Sequence, residues 1–140
     1  VCKSIAQYFT VLPKFKEDKK MAKEITNNDI EHSVTQLIHT LGIPAHLKGY
    51  HYLRTAIIYA AQNVELLDGM TKNLYPLIAE KFNSTVVRVE RSIRNSIEVA
   101  WYRGGEKAIR QYMGTKSGKP TNSEFISLAA DRIRLQYKLY

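Results

Sequence analysis

The chain has 140 residues, 44% of them hydrophobic and 24% charged, which suits one folded domain with a core and argues against wholesale disorder. No apolar run approaches the ~20 residues a membrane helix needs, and no stretch has signal-peptide anatomy, so a cytoplasmic location is expected. The single cysteine, Cys2, excludes an internal disulfide framework, and Val1 in place of an initiating Met reads as a fragment or a processed product.

Lys and Arg outnumber Asp and Glu by 21 to 13, a net charge of +8. Residues 1–27 carry six Lys against three acids, residues 28–70 two basic against four acidic, and residues 71–140 thirteen basic against six acidic. Positive charge gathered at the two ends of a chain with a neutral-to-acidic middle suits a molecule that presents one face to a polyanion.

In chain order, residues 1–27 read as a linker, a tail or the remnant of a preceding unit, with Pro13 separating a mildly apolar start from a Lys-rich run. Residues 28–140 read as a helical domain. Asn28 and Glu31 have the spacing of a capping box, and Ile30, Val34, Leu37, Ile38 and Leu41 recur at helical period until Gly42-Ile43-Pro44. A second helix is expected from about Ala45 to Gln62, with Leu47, Tyr50, Leu53, Ile57 and Ala60 inward. Gly49 inside it costs roughly 1 kcal/mol against Ala, which points to a close helix contact.

A third helix is expected over Thr71–Phe82, with Pro76 either in the first turn of a shorter helix or kinking a longer one. A fourth runs from Val86 to Arg103 and ends at Gly104-Gly105; a short one covers Glu106–Met113, followed by a polar loop. The last opens with a Thr121/Glu124 capping box and carries Phe125, Ile126, Leu128, Ala129, Ile133 and Tyr137 as its stripe. With no alternating strand pattern, the fold class is all-α: about six helices around a central helix-turn-helix, winged-helix-like but without a wing.

The stretch Leu74–Trp101 carries the chemistry. A helix-turn-helix needs a small residue where its helices cross, a turn residue tolerant of left-handed backbone, and apolar anchors on the second helix. Ala79 and Asn83 fit the first two roles, and Ser84 or Thr85 can cap the second helix and bond a phosphate. At 100° per residue, Val86, Val89, Ile93, Ile97 and Ala100 form the buried sector. Val87, Arg88, Arg91, Arg94, Asn95 and Glu98 fall opposite, with Glu90 at the boundary. Arg reads guanine in bidentate fashion, Asn reads adenine and Glu accepts from cytosine, so this face suits major-groove readout. The bland alternative is a solvated face of i,i+4 ion pairs, each worth a few tenths of a kcal/mol. Turn chemistry and overall basicity together favour DNA. Lys81, Lys116 and Lys119, at the edges of the motif, are expected to touch phosphates.

These residues also resemble a known family, the C-terminal DNA-binding effector domain of the sporulation-initiation (stage-zero) response regulator of endospore-forming Firmicutes. The resemblance rests on Gly42-Ile43-Pro44-Ala45-His46-Leu47-Lys48-Gly49-Tyr50, on Ile78-Ala79-Glu80-Lys81-Phe82-Asn83, on Arg88-Val89-Glu90-Arg91 and Ile97-Glu98-Val99-Ala100-Trp101, and on Lys119-Pro120-Thr121-Asn122-Ser123-Glu124-Phe125-Ile126. It implies a six-helix regulator of sporulation and stationary-phase genes that binds short boxes in double-stranded DNA, with two copies on tandem sites. It also implies Glu90, Arg91 and Arg94 as base readers and Arg88, Ser84 and Thr85 on the DNA backbone; Asn95 joins the base readers from its place on the exposed face. The helix after Gly104-Gly105 is where the family touches the RNA polymerase sigma factor, which would place Gly105, Lys107 and Arg110 at that contact. Ser92 and Asn95 depart from the family's usual Ala and His, and Gly105–Lys119 is shorter and more basic, as in a divergent paralogue.

No catalytic constellation is visible, and His32, His39, His46 and His51 lack metal-ligand spacing, so neither enzyme activity nor a metal or cofactor is expected. Trp101 is expected to pack against the last helix, and Tyr50, Tyr52 and Tyr59 in the core. The rival reading is a degenerate relative that binds the sigma factor or the full-length regulator without specific DNA readout. A second rival is non-specific binding by charge.

Overall fold

In the computed structural model, residues 27–114 and 118–139 are described. The tail expected at residues 1–27 lies, apart from Asn27, outside them, as does Lys116. Six α-helices form among the described residues, with no strand: α1 (Asn27–Thr40), α2 (Lys48–Gln62), α3 (Tyr75–Lys81), α4 (Val86–Ala100), α5 (Glu106–Met113) and α6 (Asn122–Tyr137). Among these residues no helix is long and apolar enough to cross a membrane.

On α1, Ile30, Val34 and Ile38 stack at four-residue steps and are buried. The helix already contains Asn27, which puts Asn28 inside its first turn instead of at a cap. It closes with a Schellman motif: Gly42 takes φ 85, its N–H donates to the His39 carbonyl, and the Ile43 N–H donates to the Ile38 carbonyl. The expected start of α2 moves from Ala45 to Lys48. Ala45 and His46 instead form a turn after Pro44, whose carbonyl accepts from the Leu47 N–H, and Leu47 is only half-buried.

The helix α2 is the hub, packing on α1, α4 and α6. It buries Tyr50, Tyr52, Leu53, Ala56, Ile57, Ala60 and Ala61, while Tyr59 packs on the edge of the core. Its Gly49 meets α4 so closely that an added Cβ would sit 2.1 Å from the Ser92 carbonyl oxygen and 2.8 Å from the Ser96 Cβ. The close contact expected from the sequence is therefore backbone against backbone. Ser96, buried opposite it, turns its hydroxyl back to donate to the Ile93 carbonyl at 2.7 Å, so the packed serine leaves no unpaired donor.

After α2 the chain makes a 3-10 turn (Val64–Asp68) and a π turn (Met70–Leu74) before α3. Thr71 thus precedes the helix, and Pro76 sits in the first turn of a shorter one, where its missing N–H costs nothing. The helix α4 ends at Ala100; a π turn over Trp101–Gly105, with Gly104 at φ 101, redirects the chain into α5. Trp101 is 6% exposed, with the Arg110 guanidinium of α5 5.0 Å from its ring centre. On α6 the Thr121/Glu124 capping box forms in full, and Phe125, Ile126, Ala129, Ala130 and Ile133 are buried. Leu128, expected inward, is 37% exposed: it stands about 200° round the helix from Ile126. Tyr137 is only half-buried, its hydroxyl bonded to α1 at the Ser33 hydroxyl and the Asp29 carbonyl.

Candidate nucleic-acid interface

The turn between α3 and α4 follows from three residue types. Ala79 is buried at the crossing, and its carbonyl accepts the Ser84 N–H at 2.8 Å. Asn83 holds φ 52, and its N–H donates to Glu80. This is a Schellman closure with Asn in the position that an unbranched polar side chain tolerates best after Gly. Thr85, in extended backbone, accepts from the Arg88 N–H at 3.2 Å and so caps α4; Ser84 does not fill that role.

Once begun there, α4 buries Val89, Ile93, Ser96, Ile97 and Ala100, with Val86 half-buried. The opposite side presents Val87, 60% exposed, and the exposed side chains of Arg88, Arg91, Arg94 and Asn95; Glu98 lies at the margin. Four of the expected DNA-contacting side chains (Arg88, Arg91, Arg94 and Asn95) therefore share one exposed helix face beside the turn that carries Ser84 and Thr85.

Two cations of this region are already engaged. Arg94 pairs with Glu90 one turn back at 2.5 Å, and the Lys119 ammonium lies 2.9 Å from Glu98 and 5.9 Å from the Tyr102 ring centre. Pairs this exposed are worth only a few tenths of a kcal/mol, so they orient the side chains without committing them. Lys81 lies apart from this face, its ammonium over the rings of Tyr59 and Phe82 at 5.8 and 5.6 Å, on the α2 side of α3. Gly105 is buried where a Cβ would meet the Ala100 and Leu41 carbonyl oxygens at 2.5 and 2.8 Å. Its part is to let the turn close, which leaves Lys107, exposed, and Arg110, paired with Glu106 at 3.4 Å, on the surface of α5.

A cleft of about 620 Å³ with a mixed polar and apolar lining runs between α4 and the start of α6, lined among others by Tyr75, Glu90, Arg94, Lys119 and Asn122. Tyr75, 3% exposed, is hydrogen-bonded to the Asn122 side chain. Burial raises its hydroxyl pKa above the ordinary 10.0, opposed in part by the Asn122 bond. The Asn122 amide also donates to the Glu90 carbonyl at 3.0 Å. Neither Tyr75 nor Asn122 was legible as a site residue, because the sequence signal of each is a plain helix start; only the approach of α6 to α4 brings them together. All four histidines are exposed, and among the described residues no three His, Cys, Asp or Glu side chains gather as metal ligands would.

Residues 34–133 match the family described as sporulation initiation factor Spo0A C terminal.

Proposed function

Because this chain belongs to the sporulation initiation factor Spo0A C-terminal family, we propose that it is a sequence-specific regulator that reads the major groove of double-stranded DNA with α4. The family is a DNA-binding domain of a sporulation regulator and not an enzyme family, so at the coarse level the chain is a DNA-binding transcription regulator. The finer reading is supported chiefly by one observation: Arg88, Arg91, Arg94 and Asn95 stand exposed on one side of a helix whose other side is buried and whose first turn is capped.

In this reading Arg91, Arg94 and Asn95 reach base edges, with Glu90 holding Arg94 and available to a cytosine amine. Arg88, Ser84, Thr85 and Lys119 position the strand backbone, joined by Lys116, and Lys81 serves phosphates only at the outer edge of the motif. Residues 28–140 act as the effector domain and 1–27 as a linker, a tail or the remnant of a preceding unit, working in the cytoplasm. Two copies sit on tandem boxes, and Lys107 and Arg110 on α5 face the polymerase sigma factor.

Fluorescence anisotropy on a duplex carrying the family's box and on a scrambled duplex, across a salt series, tests the reading. A preference of ~10³-fold or more for the box is expected. Arg91→Ala should lose about 1–3 kcal/mol on the box and relax the preference at one base pair. Equal, salt-steep binding to both duplexes would overturn specific readout and leave charge alone as the source of affinity. No binding to either, with a DNA-independent sigma-factor complex, would mean a protein-interaction module.

A further inference from the structure

We propose that Asn122 is a positioning residue for base readout: it fixes the axial register of α4, and through Glu90 the aim of Arg94. The inference rests on the reading that α4 is the recognition helix. The buried face of α4 is held by apolar side chains and by the Gly49 crossing. Apolar contact is non-directional, so it resists separation of helices far better than it resists a slide or a small rotation. A hydrogen bond to a main-chain carbonyl has direction. The Asn122 amide donates to the Glu90 carbonyl at 3.0 Å in a half-buried position, tying the first turn of α6 to the second turn of α4.

The tie is itself braced. Asn122 sits at the first position of α6, directly after the cap residue Thr121. Its side chain is also bonded to the Tyr75 hydroxyl on α3, so helices from both halves of the helix-turn-helix and from α6 meet at one amide. The same Glu90 uses its carboxylate to hold Arg94. A shift of α4 against α6 therefore moves the root of Glu90 and the guanidinium it steers together. Bidentate recognition tolerates displacements of only about 0.5 Å, so such a shift erodes discrimination before it erodes affinity for phosphates.

The test compares Asn122→Asp, which removes the donor at nearly constant shape, with Thr121→Ala, which weakens the same helix start without touching Glu90. Each is titrated with the box duplex, with duplexes carrying single base-pair changes across the box, and with a scrambled duplex; thermal unfolding is recorded in parallel. Asn122→Asp is expected to lower the discrimination between the box and the changes at the Arg94-read position by about fivefold, with scrambled-duplex affinity held within about twofold. Asn122→Ser, whose shorter side chain loses the same bond without adding charge, should do likewise. Thr121→Ala should lower Tm and keep the discrimination of the parent chain. Discrimination unchanged in Asn122→Asp and Asn122→Ser, or lost equally in Thr121→Ala, overturns the positioning role while leaving recognition by α4 intact. A parent chain that does not distinguish the duplexes at all overturns the recognition-helix reading itself, and the positioning role with it.

Discussion

Replacing Gly49 by Ala should loosen α2 from α4. On propensity alone the change favours the helix by about 0.8–1.0 kcal/mol. The structure opposes it: the new Cβ would stand 2.1 Å from the Ser92 carbonyl oxygen, more than 1 Å inside ordinary contact, and 2.8 Å from both the Ser92 carbonyl carbon and the Ser96 Cβ. Two of these three atoms are backbone, so no rotamer change relieves the clash. The helices must part, and the buried Leu53, Ile57, Ile93 and Ile97 around the crossing lose contact. Overpacking costs about 1–3 kcal/mol where side chains can adjust, and a backbone clash belongs at or above the top of that range. The net expectation is a loss of about 2 kcal/mol, read as a lower urea midpoint at unchanged slope and a Tm reduced by roughly 10 °C. Gly69→Ala is the control: its nearest atom is the Asn73 side-chain nitrogen at 3.3 Å, which can move, so its effect should stay within about 1 kcal/mol. A Gly49→Ala chain as stable as its parent would refute the close crossing and return the position to ordinary helix propensity.

Asn83→Ala should cost about 1–2 kcal/mol in urea unfolding because φ 52 disfavours a Cβ without a local polar partner, whereas Asn83→Gly should be near neutral; equal stability of all three chains would remove the turn argument. Glu98→Gln should release Lys119 from its 2.9 Å pair and raise affinity for scrambled DNA, with the salt dependence steeper by about one ion; unchanged anisotropy at low salt would show that Lys119 does not reach the duplex. Stability should fall in alkali. Below pH 10 the Tyr75 phenol is protonated in both folded and unfolded chains and its contribution is complete; as pH rises, the unfolded chain loses the proton first, because burial raises the folded value, and the contribution drains away through that raised value. Tyr75→Phe should flatten this part of the pH–stability curve, and an identical curve would assign the alkaline loss elsewhere, with half-buried Tyr112, raised for the same reason, next to examine.

Much of this was local and therefore readable. The helix-turn-helix turn needs one residue that tolerates left-handed backbone and one that caps, and Asn83 and Thr85 meet those needs within three positions of each other. The two sides of α4 follow from 100° steps along its sequence, and the capping box of α6 from Thr121 and Glu124 alone. Even Gly49 announced a neighbour, since a glycine in a helix interior is otherwise a cost. The differences are local as well. Ala45 and His46 lie in a turn after Pro44, and the buried stripe of α6 runs through Ala130 rather than Leu128, whose angle on the helix turns it outward.

What the neighbour of Gly49 was, and what faced Glu90, lay outside any window of sequence. Ser92 and Ser96 meet Gly49 only because two helices cross there and bring together Gly49 and Ser92, 43 residues apart in the chain. Asn122 reaches the Glu90 carbonyl across 32 residues, Lys119 finds Glu98, and Lys81 turns toward Tyr59 instead of toward the exposed face of α4. Periodicity and capping act within a few residues, so local sequence is enough to say which helices form and which side of each is wet. Which polar groups meet depends on how those helices pack, because partners far apart in the chain are chosen by proximity in space.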